Sequence, residues 1–167
     1  IATANTRDKG VNEMSSALKR RFNIVIQPPP SDMDTEINIV KTRVAQLSKD
    51  MELNAEMPTD SDFEKIVTVF RELRDGQTLD GQLKVKPTSG VLSSAEAISL
   101  MVNSMALAGS FGSGKVTDSE LAAALQGAVV KDDSKDKAAW EEYLENIMRK
   151  KGKDYASLYA ECKERNA

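Results

Sequence analysis

"SLMVNSMALAGSFGSGKVTDSEL", Ser99–Leu121, is the stretch on which the fold of this chain turns. Its centre, Gly109–Thr117, satisfies most of G-x-x-x-x-G-K-[ST], the glycine-rich loop whose backbone N–H groups cradle phosphates in an α/β protein. Gly109, Gly114 and Lys115 have the spacing, but Val116 stands where a hydroxyl should hold Mg²⁺. Thr117 comes one position late, which near a helix start rotates a side chain by roughly 100°. A phosphate loop also needs a buried strand before it, so that strand end and helix N-terminus aim at one anion. What precedes it here is "SLMVNSMALA", helical by its period and by its Met, Ala and Leu content. The stretch therefore reads as helix–loop–helix: a glycine-rich connector that ends in a Thr/Asp cap.

The same texture extends in both directions. "SDMDTEINIVKTRVAQLSKDM" opens on a Ser/Asp cap and carries Ile37, Val40, Val44 and Leu47 at helical spacing. "TDSDFEKIVTVFRELRDG" is capped by Thr59 or Asp60, shows Phe63, Ile66, Val67 and Phe70, and stops at Gly76. "VLSSAEAISLMVNSMALA" places Val91, Ala95, Ile98, Val102 and Met105 on one stripe, and the helix after the connector starts at Thr117 or Asp118. Two further helices follow, with Trp140, Tyr143 and Ile147 as a core stripe of the first; a partner-binding face is the sharper alternative for these three. "TLDGQLKVKPTSG" is irregular, with an extended piece at Leu83–Val85.

Only the beginning differs. Ile1–Ala4 and "FNIVIQ", Phe22–Gln27, read as two short strands around a short helix that bears Val11, Met14 and Leu18. Pro28–Pro30 removes three ladder donors in succession and marks the clearest boundary.

Composition excludes several chemistries. The 167 residues contain no histidine, which removes Ser-His-Asp catalysis and most zinc hydrolase sites, and the single Cys162 allows no intrachain disulfide. A net charge of -3 provides no bulk attraction to nucleic acid or an acidic membrane. No apolar run approaches the ~18 to 20 residues that cross a bilayer. Asp132, Ser134 and Asp136 imitate a calcium loop, but Lys137 replaces its glycine and Tyr143 its bidentate Glu, so a solvated acidic turn is expected. "RKKGK", Arg149–Lys153, reads as a solvated helix end and Cys162 carries no specific signal.

"ATANTRDKGVNEMSSALKRRF", Ala2–Phe22, resembles the second half of an AAA+ ATPase core of the MoxR-like group. In that family a strand ends in an Ala-Thr-x-Asn phrase, and a turn and short helix lead to an Arg-Phe pair before the last core strand. The resemblance puts Asn5 at the sensor-one position, placing the attacking water. It puts Arg21 at the arginine finger, reaching the neighbouring subunit's γ-phosphate, with Arg20 able to share the task. These residue types suit phosphoryl transfer, which depends on positioning and charge stabilisation. The remainder is similar to the family's helical lid.

The implied fold class is mainly α: a C-terminal remnant of an α/β AAA+ core with two short strands, over 1–30, then an α-helical lid over 31–130 and a helical extension over 131–167. The family's sensor-two arginine has no counterpart at Ser93–Ala95, and the Walker A and Walker B elements are missing. They are expected upstream, since the chain starts at Ile1 in mid-phrase. Further expectations follow from the kinship. ATP and Mg²⁺ serve the full-length protein, with no nucleotide or metal held tightly by this chain alone, which should not hydrolyse ATP. The partners are copies of itself in a ring, a hexamer by resemblance, and a client protein, with von Willebrand factor A-domain proteins as the family's frequent companions. No nucleic acid and no membrane are expected, and a cytoplasmic location. A non-enzymatic helical interaction module is the alternative, and a helix-turn-helix DNA binder a more distant one.

Overall fold

A computed structural model of the chain describes residues 15–21, 30–90, 92–131 and 135–166. Its α-helices are α1 (Ser16–Lys19), α2 (Met33–Asp50), α3 (Asp60–Asp75), α4 (Ser94–Phe111), α5 (Asp118–Val129), α6 (Asp136–Asn146) and α7 (Lys153–Asn166). A 3₁₀ turn, Met148–Lys150, links the last two. Among the described residues the only β pairing is an isolated bridge between Gln77 and Lys84. The mainly helical class is thus observed, whereas both expected strands, Ile1–Ala4 and Phe22–Gln27, lie outside the described residues.

Local chemistry sets the helix starts. Asp32 caps α2, its carboxylate accepting from Thr35 N at 2.8 Å. Thr59, Ser93 and Thr117 cap α3, α4 and α5, each in a reciprocal box with an acid three residues on: Asp62, Glu96 and Glu120. Each such cap is worth about 1 kcal/mol and satisfies amides that no helical carbonyl can reach. Gly76 closes α3 in the left-handed region at φ 69°. The chain then turns back on itself, with Val85 N donating to Gly76 O at 2.9 Å and Thr78 N to Leu83 O at 2.9 Å.

The helices share one apolar core. Helix α2 packs on α3 and α4, α4 on α5, α5 on α7, and α6 on α7. Val40, Val44, Phe63, Ile66 and Phe70 fill it from one side, and Trp140, Tyr143, Leu158 and Cys162 from the C-terminal side. Trp140, Tyr143 and Ile147 are therefore packing residues, not a docking face. Of the stripe assigned to α4, Val102 and Met105 are buried and Ile98 packs against the core, Ala95 is exposed and Val91 lies outside the described residues; Ala97, Leu100, Met101 and Ala108 are buried as well. Glu96, Ser99 and Asn103, at i, i+3 and i+7, mark its outward face.

Candidate functional site

Asn5 lies outside the described residues. Arg20 and Arg21 lie in the turn that ends α1, both exposed, and Arg20 N donates to Ser16 O at 3.2 Å.

The glycine-rich segment does not form a phosphate cradle. It follows a helix that runs on through Gly109, Ser110 and Phe111 and is capped by Gly112. The amides of Gly112 and Gly114 both donate to Ala108 O, at 3.1 and 2.9 Å, so they close the helix instead of facing an anion. Gly114, at φ 82°, turns the chain so that its carbonyl accepts from Glu56 N at 2.7 Å. Gly109 serves a close approach: a Cβ there would lie 2.6 Å from Asn54 O. Thr117 caps α5, its hydroxyl 2.5 Å from Glu120 Oε2. The glycines thus fit two loops together.

The start of α4, at Ser93 and Ser94, adjoins a buried charge node. Glu36, on the first turn of α2, is 1% exposed. Its carboxylate accepts from Arg71 Nη1 at 3.0 Å, from Arg74 Nη1 and Nη2 at 3.0 and 2.9 Å, and from Ser94 Oγ at 2.7 Å. Arg71 also donates to the carbonyls of Pro30 and Ser31, at 3.2 and 2.7 Å, where the chain enters from the proline run. Arg74 Nη1 reaches Leu92 O at 3.1 Å. One carboxylate therefore ties the entry strand of chain, α2, α3 and the start of α4 together. Burial alone would raise the Glu36 pKa, but the hydrogen bonds from Arg74 and Ser94 and the charges of Arg74 and Arg71 outweigh it and hold the group below its usual range.

Sequence reasoning missed this node. Arg71 and Arg74 lie on one face of α3 at i, i+3, which was a visible signal. Their partner, 35 and 38 positions upstream, was not. Arg74 reaches the helix start at Leu92 O, but both guanidiniums are held by Glu36.

Two further buried carboxylates, Glu72 on α3 and Asp136 on α6, join distant parts of the chain. Glu72, 1% exposed, accepts from Tyr143 Oη at 2.6 Å and Lys151 Nζ at 2.7 Å. Burial, and then the neighbouring Glu72 charge, push the Tyr143 phenol well above its ordinary value. Asp136 is fully buried, not solvated: it accepts from Ser89 N and Oγ at 2.7 and 2.6 Å and from Lys131 N at 3.0 Å. Asp132 and Ser134 lie outside the described residues. Among the described residues no group of three or more Cys, Asp or Glu could hold a metal ion, and no helix is long and apolar enough to cross a membrane.

Long capped helices on one core, entered through a proline-rich connection and pinned at that entry by an ion-pair node, define a helical lid domain. The chain belongs to the YehL-like AAA+ ATPase C-terminal domain family, whose profile matches residues 34–166. It is 32% identical, over 171 aligned residues, to the uncharacterized protein YehL of Escherichia coli strain K12, and the match takes in 99% of this chain. The chain spans 45% of that relative's length. No solved structure matches it.

Proposed function

We propose that this chain is the sensor, finger and lid portion of an ATPase of the MoxR-like group, which couples ATP hydrolysis in a ring to the remodelling of a client protein. The observation that carries the reading is the pair Arg20 and Arg21, side by side and exposed at the end of a short helix, in a chain of an AAA+ family. A permanent cation with forked donors, offered to a neighbouring subunit, suits the charge that develops on a transferring phosphoryl group. Arg21 is the finger and Arg20 its neighbour. Asn5, by its side-chain amide, orients the attacking water. Mg²⁺ and ATP are held by a nucleotide-binding half carrying Walker A and Walker B elements, and the ring, a hexamer, forms when both halves are present. A von Willebrand factor A-domain protein is the proposed kind of client, and the site of action is the cytoplasm.

The lid's part follows from its charges. With both α3 arginines held by Glu36, it contributes little direct charge to the γ-phosphate. Its work is mechanical: the Glu36 node transmits the direction of the entering chain to α2, α3 and α4.

The test is Arg21→Ala in a polypeptide that carries the nucleotide-binding half. An arginine finger contributes about 10³ to 10⁵ in rate, so steady-state turnover should fall by orders of magnitude while fluorescent ATP-analogue binding is retained. Unchanged turnover would sink the assignment and leave a helical interaction module as the better account.

A further inference from the structure

Helices α4 and α5 run antiparallel, with Ser104 Oγ 3.4 Å from Glu120 O and Lys131 Nζ 3.8 Å from Glu96 Oε1. Between them lies an open groove of about 540 Å³. Its floor consists of small residues that keep part of their surface in water: Ala106, Ala123, Ala124 and Ala128 are half-buried and Gly127 is exposed. A Cβ added at Gly127 would meet nothing within 4 Å, so there is room above it. At one end stands Phe111, 88% exposed, on the last turn of α4. Phe63 and Phe70 are fully buried, whereas this ring is left in water and the gain from covering it is still open. At the other end Glu96 pairs with Lys131, so the lining carries no net charge. Asn103, exposed, lies midway along α4 on the same face.

We infer that this groove is a self-association surface: two copies of the chain pack α4 on α4, antiparallel, about a two-fold axis at Asn103, with the Phe111 ring of each over Gly127 and Ala128 of the other. The occupant follows from the patch itself. It carries a knob at one end and a hole at the other, and a two-fold axis midway brings each knob to the other copy's hole. Phe111 and Glu96 are about 22 Å apart along α4, on either side of Asn103. The ring of one copy therefore reaches the Glu96 end of the other, where Gly127 and Ala128 lie one turn before Lys131. The Asn103 amide is both donor and acceptor, so it can pair with its own counterpart across the axis and fix the register. Small side chains beneath let the helices approach closely. A foreign acidic or basic segment would find no surplus charge to select it. Two helices about 10 Å wide and about 22 Å long offer on the order of 400 to 500 Å² per copy, short of the ~800 Å² of a standard stable interface, so the dimer is a weak one. The inference does not rest on the ATPase reading.

Sedimentation equilibrium of this chain, from about 10 μM to about 1 mM, should fit a reversible monomer–dimer equilibrium with a dissociation constant on the order of 10⁻⁴ M. Phe111→Ser removes the knob and Gly127→Gln fills the hole. Symmetry counts each change twice, so either should weaken the dimer about a hundredfold. Both positions are exposed, and a melting temperature that is not lowered in dilute protein checks that the variants are folded. Asn103→Cys reads the position of the axis. On oxidation it should cross-link to its own counterpart about tenfold faster than Asn38→Cys, on the exposed face of α2, because only the first pair is held within disulfide reach. Cys162 is buried and takes no part. A monomeric mass at the highest concentration would overturn the inference. So would a dimer that both variants leave intact, a mass that climbs past two copies, or equal cross-linking of the two cysteines.

Discussion

Glu36 is covered on all sides, faces two guanidiniums and accepts a serine hydroxyl, so its charge cannot be removed without consequence. Glu36→Gln leaves two half-buried cations with no counter-charge. Breaking a buried pair from one side costs about 3–5 kcal/mol, and urea unfolding at neutral pH should show a loss of that size. The pH dependence follows from the direction of the shift. A carboxyl held below its ordinary 4.5 in the folded state contributes stability that is complete above that pH. The contribution is lost as pH falls through the lower folded value. Unfolding curves from pH 5 to pH 3 should therefore descend more steeply for the wild type than for Glu36→Gln; parallel curves would show that the node does not titrate with folding. Cys162 is the opposite kind of residue. It is 1% exposed, and burial pushes its thiol up to about 12, so it packs as a small apolar group and is no nucleophile at neutral pH.

Two glycines in neighbouring helices separate propensity from packing. In an exposed helix interior, Gly→Ala stabilises by about 0.5–1 kcal/mol. At Gly127, where an added Cβ meets nothing within 4 Å, that gain should be realised. At Gly109 the same methyl would sit 2.6 Å from the backbone oxygen of Asn54, which cannot swing away as a side-chain tip can. The overpacking cost of about 1–3 kcal/mol wins there. Thermal melts should show Gly127→Ala raised and Gly109→Ala lowered relative to the wild type, and a rise for both would mean that the Asn54 contact yields freely. The same helices show what a sequence can reveal. Caps at Asp32, Thr59, Ser93 and Thr117 are written within three or four residues, so α2, α3 and α5 were legible almost to the residue. The helix–loop–helix reading of Gly109–Thr117 held for the same local reason, although α4 runs two residues past Gly109. The facing of α4 was legible in part: Val102 and Met105 are buried as the stripe required, but Ala95, placed on the same stripe, is exposed. The fate of Asp136 was not, because its partner Ser89 lies 47 positions away. Glu36, Arg71, Arg74 and Ser94 failed the same way: each looks like an ordinary surface charge or hydroxyl until the fold brings them together.

At the scale of the molecule, a single core spans the lid helices and the C-terminal ones. Leu125 and Val129 of α5 share it with Leu158 and Cys162 of α7, and Glu72 of α3 binds Tyr143 of α6 and Lys151 beyond it. Removal of the chain from α6 onward would uncover that core and take Tyr143 and Lys151 from Glu72, leaving it the Leu79 amide. Calorimetry of residues 30–167 should accordingly give one cooperative transition, with calorimetric and van't Hoff enthalpies in agreement. Two resolved transitions would make the C-terminal helices an independent unit.

Trp140 lies at the same seam, and it is the chain's one tryptophan. Its ring is fully buried, stacked on Tyr143 with centroids 5.7 Å apart and planes 11° from parallel, and the indole nitrogen has no hydrogen-bond partner among the described residues. All of the protein's indole emission therefore comes from one dry place, three residues from the tyrosine that holds Glu72. Its colour reports whether that seam is packed, so the molecule carries an optical gauge of its own folding that needs no dye.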